Sequence, residues 1–304
     1  MAKQIETLNT QFALDGHIHF QAGEGGLPVA IVSNGLASAA IYLHGGHITA
    51  FQPQSNEPVL WMSPLAQFKS DKAIRGGVPV IWPWFGPHVT DSDRPQHGFA
   101  RTIEWQVQAT KALADGSTQL QLGLSDTAET RTLWPFAFEL NLTITAGAEL
   151  HIELTSHNTG EQPFTAGAAL HSYFEVGDVS QMFVEGLQGC HYIDQLVGNQ
   201  LKQQNDGVRI AQEVDRIYVD TEASCVIHDA LLSRQIHIKK TGSRSTVVWN
   251  PWREKAQAMA DFSDEGYQQM LCIETANAAD DVRQLAPGET HTLSQTISVS
   301  KETP

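Results

Sequence analysis

From residue 102 onward, apolar and polar positions alternate with a period of two along long stretches of the chain. Residues 102–109 (TIEWQVQA) set Ile103, Trp105 and Val107 on one face, and 118–124 (TQLQLGL) repeats the pattern after an Asp115-Gly116 turn. Residues 136–145 and 149–157 form a longer alternating pair around Gly147. Period two between turn residues is the mark of antiparallel strands that bury one face. Nearer the N-terminus, His17-Ile-His-Phe alternates. Three short apolar runs follow, at 29–32, 38–43 and 47–51, separated by Gly35, Gly45-Gly46 and Pro53. Ile41, Leu43, Ile48 and Ala50 are expected to face a core. Further short strands are predicted near 164–170, 182–186, 207–219, 224–228, 235–240 and 245–249, and 291–300 closes the chain. Helical periodicity is scarce, with 253–259 the best candidate. Residues 1–16 are polar and read as an arm or capping segment. With no internal repeat or Pro/Ser-rich linker, the expectation is one all-β domain over 1–304, a mostly antiparallel sandwich of two broad sheets with few short helices.

One segment departs from alternation. Residues 72–101, KAIRGGVPVIWPWFGPHVTDSDRPQHGFAR, carry prolines at 79, 83 and 87, which exclude a helix or a central strand there. Gly76 and Gly77 follow Arg75, and glycine permits positive φ or close approach of the backbone. The segment reads as rigid and walled by aromatic side chains, bracketed by Arg75 and Arg101. Gln96 and His97 precede the second arginine. Fixed polar donors beside aromatic rings point to a sugar or anion site.

Charge sharpens that reading. The 304-residue chain has a formal net charge of -15, which argues against nucleic acid or an anionic membrane as partner. Between Lys69 and Arg101, however, five basic residues face three acidic ones. A local basic pocket can bind a small anion because short-range pairing outweighs screened repulsion at distance. The three cysteines, Cys190, Cys225 and Cys272, are far apart and odd in number, as reduced thiols in a cytoplasm would be. No apolar leader stands at the N-terminus, and no apolar run is long enough for a membrane span. A cytoplasmic, monomeric protein is expected.

Two further stretches carry candidate chemistry. In 164–176 (FTAGAALHSYFEV), His171 follows a run of small residues and precedes aromatics, well placed for acid–base work near neutral pH. A lone histidine among thirteen is more often structural. In 269–277 (QMLCIETAN), Glu274 interrupts a buried strand pattern, and a buried carboxylate is costly unless paired or functional. Asp215-Arg216 by itself reads as a surface ion pair, and 247–252 (VVWNPW) as core and turn. His17/His19 and His44/His47 lack a third ligand in any recognised spacing, so no metal is expected. No phosphate-binding glycine loop or nucleophile elbow is present. A histidine and a glutamate that move protons on an oxygen-bearing ligand need no cofactor.

Taken together, IRGGVPVIWPWFG, QHGFAR, ALHSYF, DRIY, VVWNPW and CIETAN, in this order over about residues 40–295, resemble the hexose-6-phosphate mutarotase (glucose-6-phosphate 1-epimerase) family of the aldose-1-epimerase superfamily. The resemblance implies a galactose-mutarotase-like β-supersandwich that interconverts α and β anomers of a hexose 6-phosphate. It implies His171 as general acid, Glu274 as general base, and Arg75, Gln96 and Arg101 as substrate ligands, the arginines taking the phosphate. It implies Asp215 as a sugar-hydroxyl ligand and His97 as a pocket residue, with Trp82 and Trp84 expected to shape the pocket wall. The rival readings are a mutarotase for free aldoses, a non-catalytic carbohydrate-binding module on the same sandwich, and a metal-dependent enzyme built on the histidines.

Overall fold

The computed structural model describes residues 1–301 and is built around two eight-stranded sheets. In spatial order the first runs Phe183–Glu185, Cys225–Asp229, Arg234–Thr241, Thr290–Lys301, Leu150–Asn158, Phe138–Ala146, Thr118–Ser125 and Gln106–Ala112. The second runs Gln200–Gln203, His191–Asp194, Val214–Val219, Ser245–Asn250, Met270–Asn277, Ala168–Leu170 and Val80–Ile81, and Tyr173–Glu175 also pairs with Met270–Asn277. A four-stranded meander (Ile18–Ala22, Pro28–Ser33, Ala37–Tyr42, His47–Pro53) and a two-stranded pair complete the β structure. The expected all-β, antiparallel architecture is the one observed.

The two large sheets bury their strands differently. Phe138–Ala146 and Leu150–Asn158 bury every second residue, as their alternation predicts. Leu140, Leu142, Ile144, Ile152 and Leu154 join the main core, each such burial contributing roughly 1.5–3 kcal/mol. Ser245–Asn250 and Met270–Asn277 are instead buried at every position. Leu271 and Ile273 face the main core, while Met270 and Cys272 face a second cluster with Trp61, Tyr173 and Trp249. Glu274 stands two residues beyond Cys272 and so turns toward that second face.

The proline-rich segment contributes only Val80–Ile81, at the sheet edge. Val78, Val80 and Trp82 share one parity, and all three enter the main core. Trp82 is fully buried, tilted against Phe138 and edge-on to Trp134. Trp84 packs on the same core and donates from Nε1 to the Pro95 carbonyl (3.0 Å). Neither tryptophan walls the candidate site, contrary to expectation, because the strand's period of two carries both rings inward.

Glycine is required where backbones in this region touch. Gly77 has φ +62°, and a Cβ there would meet the Ile48 carbonyl oxygen at 2.2 Å. Gly98 has φ +72°, and a Cβ would meet the Trp82 carbonyl oxygen at 2.0 Å. That second approach clips 82–87 to 96–101 through Phe99 N to Trp82 O (3.0 Å) and His97 N to Gly86 O (2.7 Å). Gly98→Ala is therefore expected to cost about 3 kcal/mol or more. A urea unfolding midpoint unchanged from the parent would contradict this.

Three features differ from expectation. Residues 2–12 form a helix, Ala2–Phe12, that docks rather than trails. Leu8 and Phe12 pack on the core, and Asn9 exchanges two hydrogen bonds with the backbone of Phe20 (2.7 and 2.8 Å). The spacing of Leu8 and Phe12 marks one helix face that the polar composition obscures. A second short helix, Ala128–Leu133, starts at a capping box between Thr127 and Thr130. Ala50 is exposed, because the pairing register shifts between Ala40 and Ile41 and reverses its facing. The helix expected at 253–259 is present as Trp252–Ala258. Among the described residues, no helix is long and apolar enough to cross a membrane.

Candidate active site

Two rungs of the second sheet make the floor of a cavity of about 410 Å³. Leu170 pairs with Thr275 and Tyr173 with Cys272. Carried through the two residues between, this register sets His171 opposite Glu274. Val247 flanks Glu274 on its other side, and Ile217 flanks Val247. The neighbouring rung reads Asp215, Trp249, Cys272, Tyr173. His171 and Glu274 are thus a cross-strand pair, whose side chains naturally approach. His171 Nδ1 lies 3.3 Å from Glu274 Oε1. The approach lacks hydrogen-bond alignment, and both Nδ1 and Glu274 Oε2 are buried without a hydrogen-bond partner. The His171 ring lies flat on Tyr173 (4.8 Å, 7°) and edge-on to His97 and Trp249. Below the rung, Gln295 joins Ser172 to Thr275 through buried hydrogen bonds.

The arginines come from the proline-rich segment. Arg75 points Nε and Nη2 at Asp261 Oδ2 (3.2 Å each) and Nη1 at the Tyr173 hydroxyl (3.1 Å). Its backbone is held nearby by His47, whose Nε2 donates to the Gly76 carbonyl (2.7 Å). Arg101 donates to the Gln96 carbonyl (2.7 Å) and has no carboxylate partner among the described residues. Asp215 accepts from Gln195 Nε2. Strand alternation separates it from Arg216, which stacks over Tyr192 (4.7 Å) away from the cavity.

The field of the site opposes charge on its central pair. Burial, then His97 and the two arginines, lower His171 well below its ordinary 6.5. Burial, then Asp215, push Glu274 well above its ordinary 4.5, against the pull of Arg101. Burial and the arginines bring His97 down to about 3. Burial, aided by Arg75, brings Arg101 down to about 10, still cationic at neutral pH. Burial raises Asp215 as well.

His47, fully buried, is lowered by burial from 6.5 to about 3. The unfolded chain takes up this proton as pH falls through 6.5, whereas the folded chain resists until about 3. Stability is therefore flat above the unfolded value and falls with acidification across that window. At pH 5 the contribution is about 2 kcal/mol. Urea midpoints at pH 7.5 and 5 should show the loss, and His47→Gln should reduce the slope. Equal slopes in parent and variant would refute the assignment.

All seven residues singled out in the sequence, Arg75, Gln96, His97, Arg101, His171, Asp215 and Glu274, line this one cavity. Tyr173, Trp249 and Val247 line it too; by sequence, 247–252 reads as core and turn and Tyr173 has no role beyond an aromatic beside His171, and they sit at an even step from His171 or on nearby strands. Asp261 and Gln195 carried no sequence signal. Two larger concavities, about 790 and 590 Å³, lie elsewhere, and neither holds a buried histidine–carboxylate pair. Of the spaced histidines, His44 and His47 bind backbone carbonyls and His17 a threonine hydroxyl. His171, Cys272 and Glu274 place three ligand atoms within 4.8 Å of one another. Burial holds the Cys272 thiol well above its ordinary value.

The comparison with known families defines an isomerase: aldose 1-epimerase matches over residues 29–298. The chain belongs to the aldose 1-epimerase family. A Salmonella typhimurium protein named "Putative glucose-6-phosphate 1-epimerase" is 37% identical over 276 residues, covering 90% of this chain and 91% of that one. The crystal structure of a "putative mutarotase" from Salmonella typhimurium superposes with TM-score 0.89 at 34% identity, over 99% of this chain and 100% of that chain. A galactose mutarotase-like protein from Clostridium acetobutylicum shares the fold at 14% identity, TM-score 0.74, over 96% of this chain and 100% of that one. The family and fold implied by the sequence motifs are the ones found.

Proposed function

We propose that this enzyme interconverts the α and β anomers of a hexose 6-phosphate, glucose 6-phosphate foremost, without a cofactor. The observation that carries this reading is Arg101, a half-buried cation without a carboxylate partner among the described residues, beside the buried His171–Glu274 pair. Uncompensated charge held in a cleft calls for a ligand of opposite charge. The names of the relatives support the phosphorylated substrate.

In the proposed reaction Glu274 takes the proton of the anomeric hydroxyl while His171 gives one to the ring oxygen. The C1–ring oxygen bond breaks as the C1 carbonyl forms. Rotation about C1–C2 presents the other carbonyl face. Closure returns the proton from Glu274 to O1 while His171 recovers one from the attacking hydroxyl. One mobile proton passes between two carriers, so the pair visits both of its protonation patterns in each turnover. The patterns favoured by burial, neutral His171 and protonated Glu274, are those of the open-chain stage. Asp215 and Gln96 would hold sugar hydroxyls.

The test is a coupled assay with an anomer-specific glucose-6-phosphate dehydrogenase, run cold and at low buffer concentration to slow the spontaneous reaction. Acceleration with α-glucose 6-phosphate and not with α-glucose is expected. Acceleration of glucose alone would move the arginines to hydroxyl binding. Sugar binding without acceleration of either would leave a binding module.

A further inference from the structure

The cleft does not end at its arginines. A recess of about 250 Å³ opens behind them and shares Arg75, Arg101 and Tyr173 with the cleft as a common wall. Its other polar lining is Gln67, Lys72 and Asp261. Three cations and one carboxylate leave it at +2, in a chain whose formal charge is -15. A phosphate monoester carries about -1.5 to -2 at neutral pH. The Asp261 carboxylate fixes the outer edge of Arg75, and the charges of Lys72 and Arg101 have no carboxylate partner among the described residues. The Lys72 ammonium and the Gln67 carboxamide have no hydrogen-bond partner among the described residues. The opposite end of the cleft is different: Lys255 is tied to Glu213 (3.0 Å), and Asp215 faces inward. A dianion is attracted to the first end and not to the second.

We infer that the substrate phosphate lodges in this recess, with Lys72 as a third cationic ligand beside Arg75 and Arg101 and Gln67 as a neutral donor. The inference rests on the proposed hexose 6-phosphate reading. It orients the substrate: phosphate behind the arginine wall, sugar ring in the cleft, C1 over His171 and Glu274. Tyr173 stands at the junction, its ring under His171 and its hydroxyl on Arg75. Lys72 is exposed, so its contribution is screened by solvent and salt.

Lys72→Ala should raise KM for glucose 6-phosphate about tenfold at low salt, with kcat unchanged. The difference should shrink toward unity as salt rises, and Lys72→Arg should restore the parent value. Competitive inhibition by inorganic phosphate should weaken by the same factor. Calorimetric titration of the parent with glucose 6-phosphate and with glucose separates two failures. If the parent neither accelerates the phosphorylated sugar nor binds it in preference to glucose, the functional reading itself falls. If the parent does both and Lys72→Ala matches it at low salt, only the recess is overturned. A selective rise in KM from Lys255→Ala instead would place the phosphate at the opposite end and also overturn it.

Discussion

Glu274→Gln is expected to lower kcat for anomer exchange by about 10²- to 10⁴-fold, the usual worth of a positioned acid–base group. Glutamine matches glutamate in size and can still donate a hydrogen bond, but it cannot take the proton of the anomeric hydroxyl. The position is 1% exposed and its strand is packed on both faces, so a change in volume would confuse the result and an isostere does not. Glutamine is neutral, as is the protonated form of Glu274 that burial favours, so the variant should fold about as well as the parent. A kcat fall with an unchanged unfolding midpoint is the expected signature. Parent-like mutarotation in the folded variant would remove Glu274 from the mechanism. His171→Asn should give a loss of similar size, and the double variant little more, because the two groups act as one relay.

Arg101→Ala is expected to weaken capture of the phosphorylated sugar by about 2–5 kcal/mol, thirtyfold or more in KM. Arg101 is the better test than Arg75. Arg75 also ties Asp261 and the Tyr173 hydroxyl, so its loss disturbs the wall of the site. Among the described residues the Arg101 side chain makes a hydrogen bond to the Gln96 carbonyl, five residues before it, and no ion pair. Free glucose, which lacks the dianion, should be far less affected. Equal losses on glucose and glucose 6-phosphate would assign Arg101 to sugar hydroxyls and end its phosphate role. Removing one cation should also ease the pressure that keeps His171 neutral, so the acid limb of the kcat/KM profile should move to higher pH in this variant.

How much of this site could be read in advance follows from which residues break a pattern. Glu274 was visible because a carboxylate interrupts an apolar run, and Arg75 with Arg101 because basic residues gather in an acidic chain. The strands at 136–157 were visible because one face meets solvent. Where both faces are covered, as at Ser245–Asn250, apolar character is continuous, and the facing of Val247 and Trp249 cannot be told. Trp82 shows the same limit: an aromatic beside prolines looks like a binding wall until its parity with Val78 and Val80 sends it to the core. The helix at 2–12 was hidden by polar residues around two apolar anchors. The pairing of His171 with Glu274 joins positions 103 residues apart, and no local signal encodes that register.

The placement of the last strand governs how the enzyme can be made. Thr290–Lys301 does not sit at an edge: it lies between Arg234–Thr241 and Leu150–Asn158, near the middle of its sheet. Until it inserts, the sheet is two unjoined halves with open edges, which invite pairing with other chains. It also brings Gln295 beneath Ser172 and Thr275, the neighbours of His171 and Glu274. The facing edges of Arg234–Thr241 and Leu150–Asn158 stay unpaired until residues 290–301 join them, so closure of this sheet comes after the rest of its strands are made.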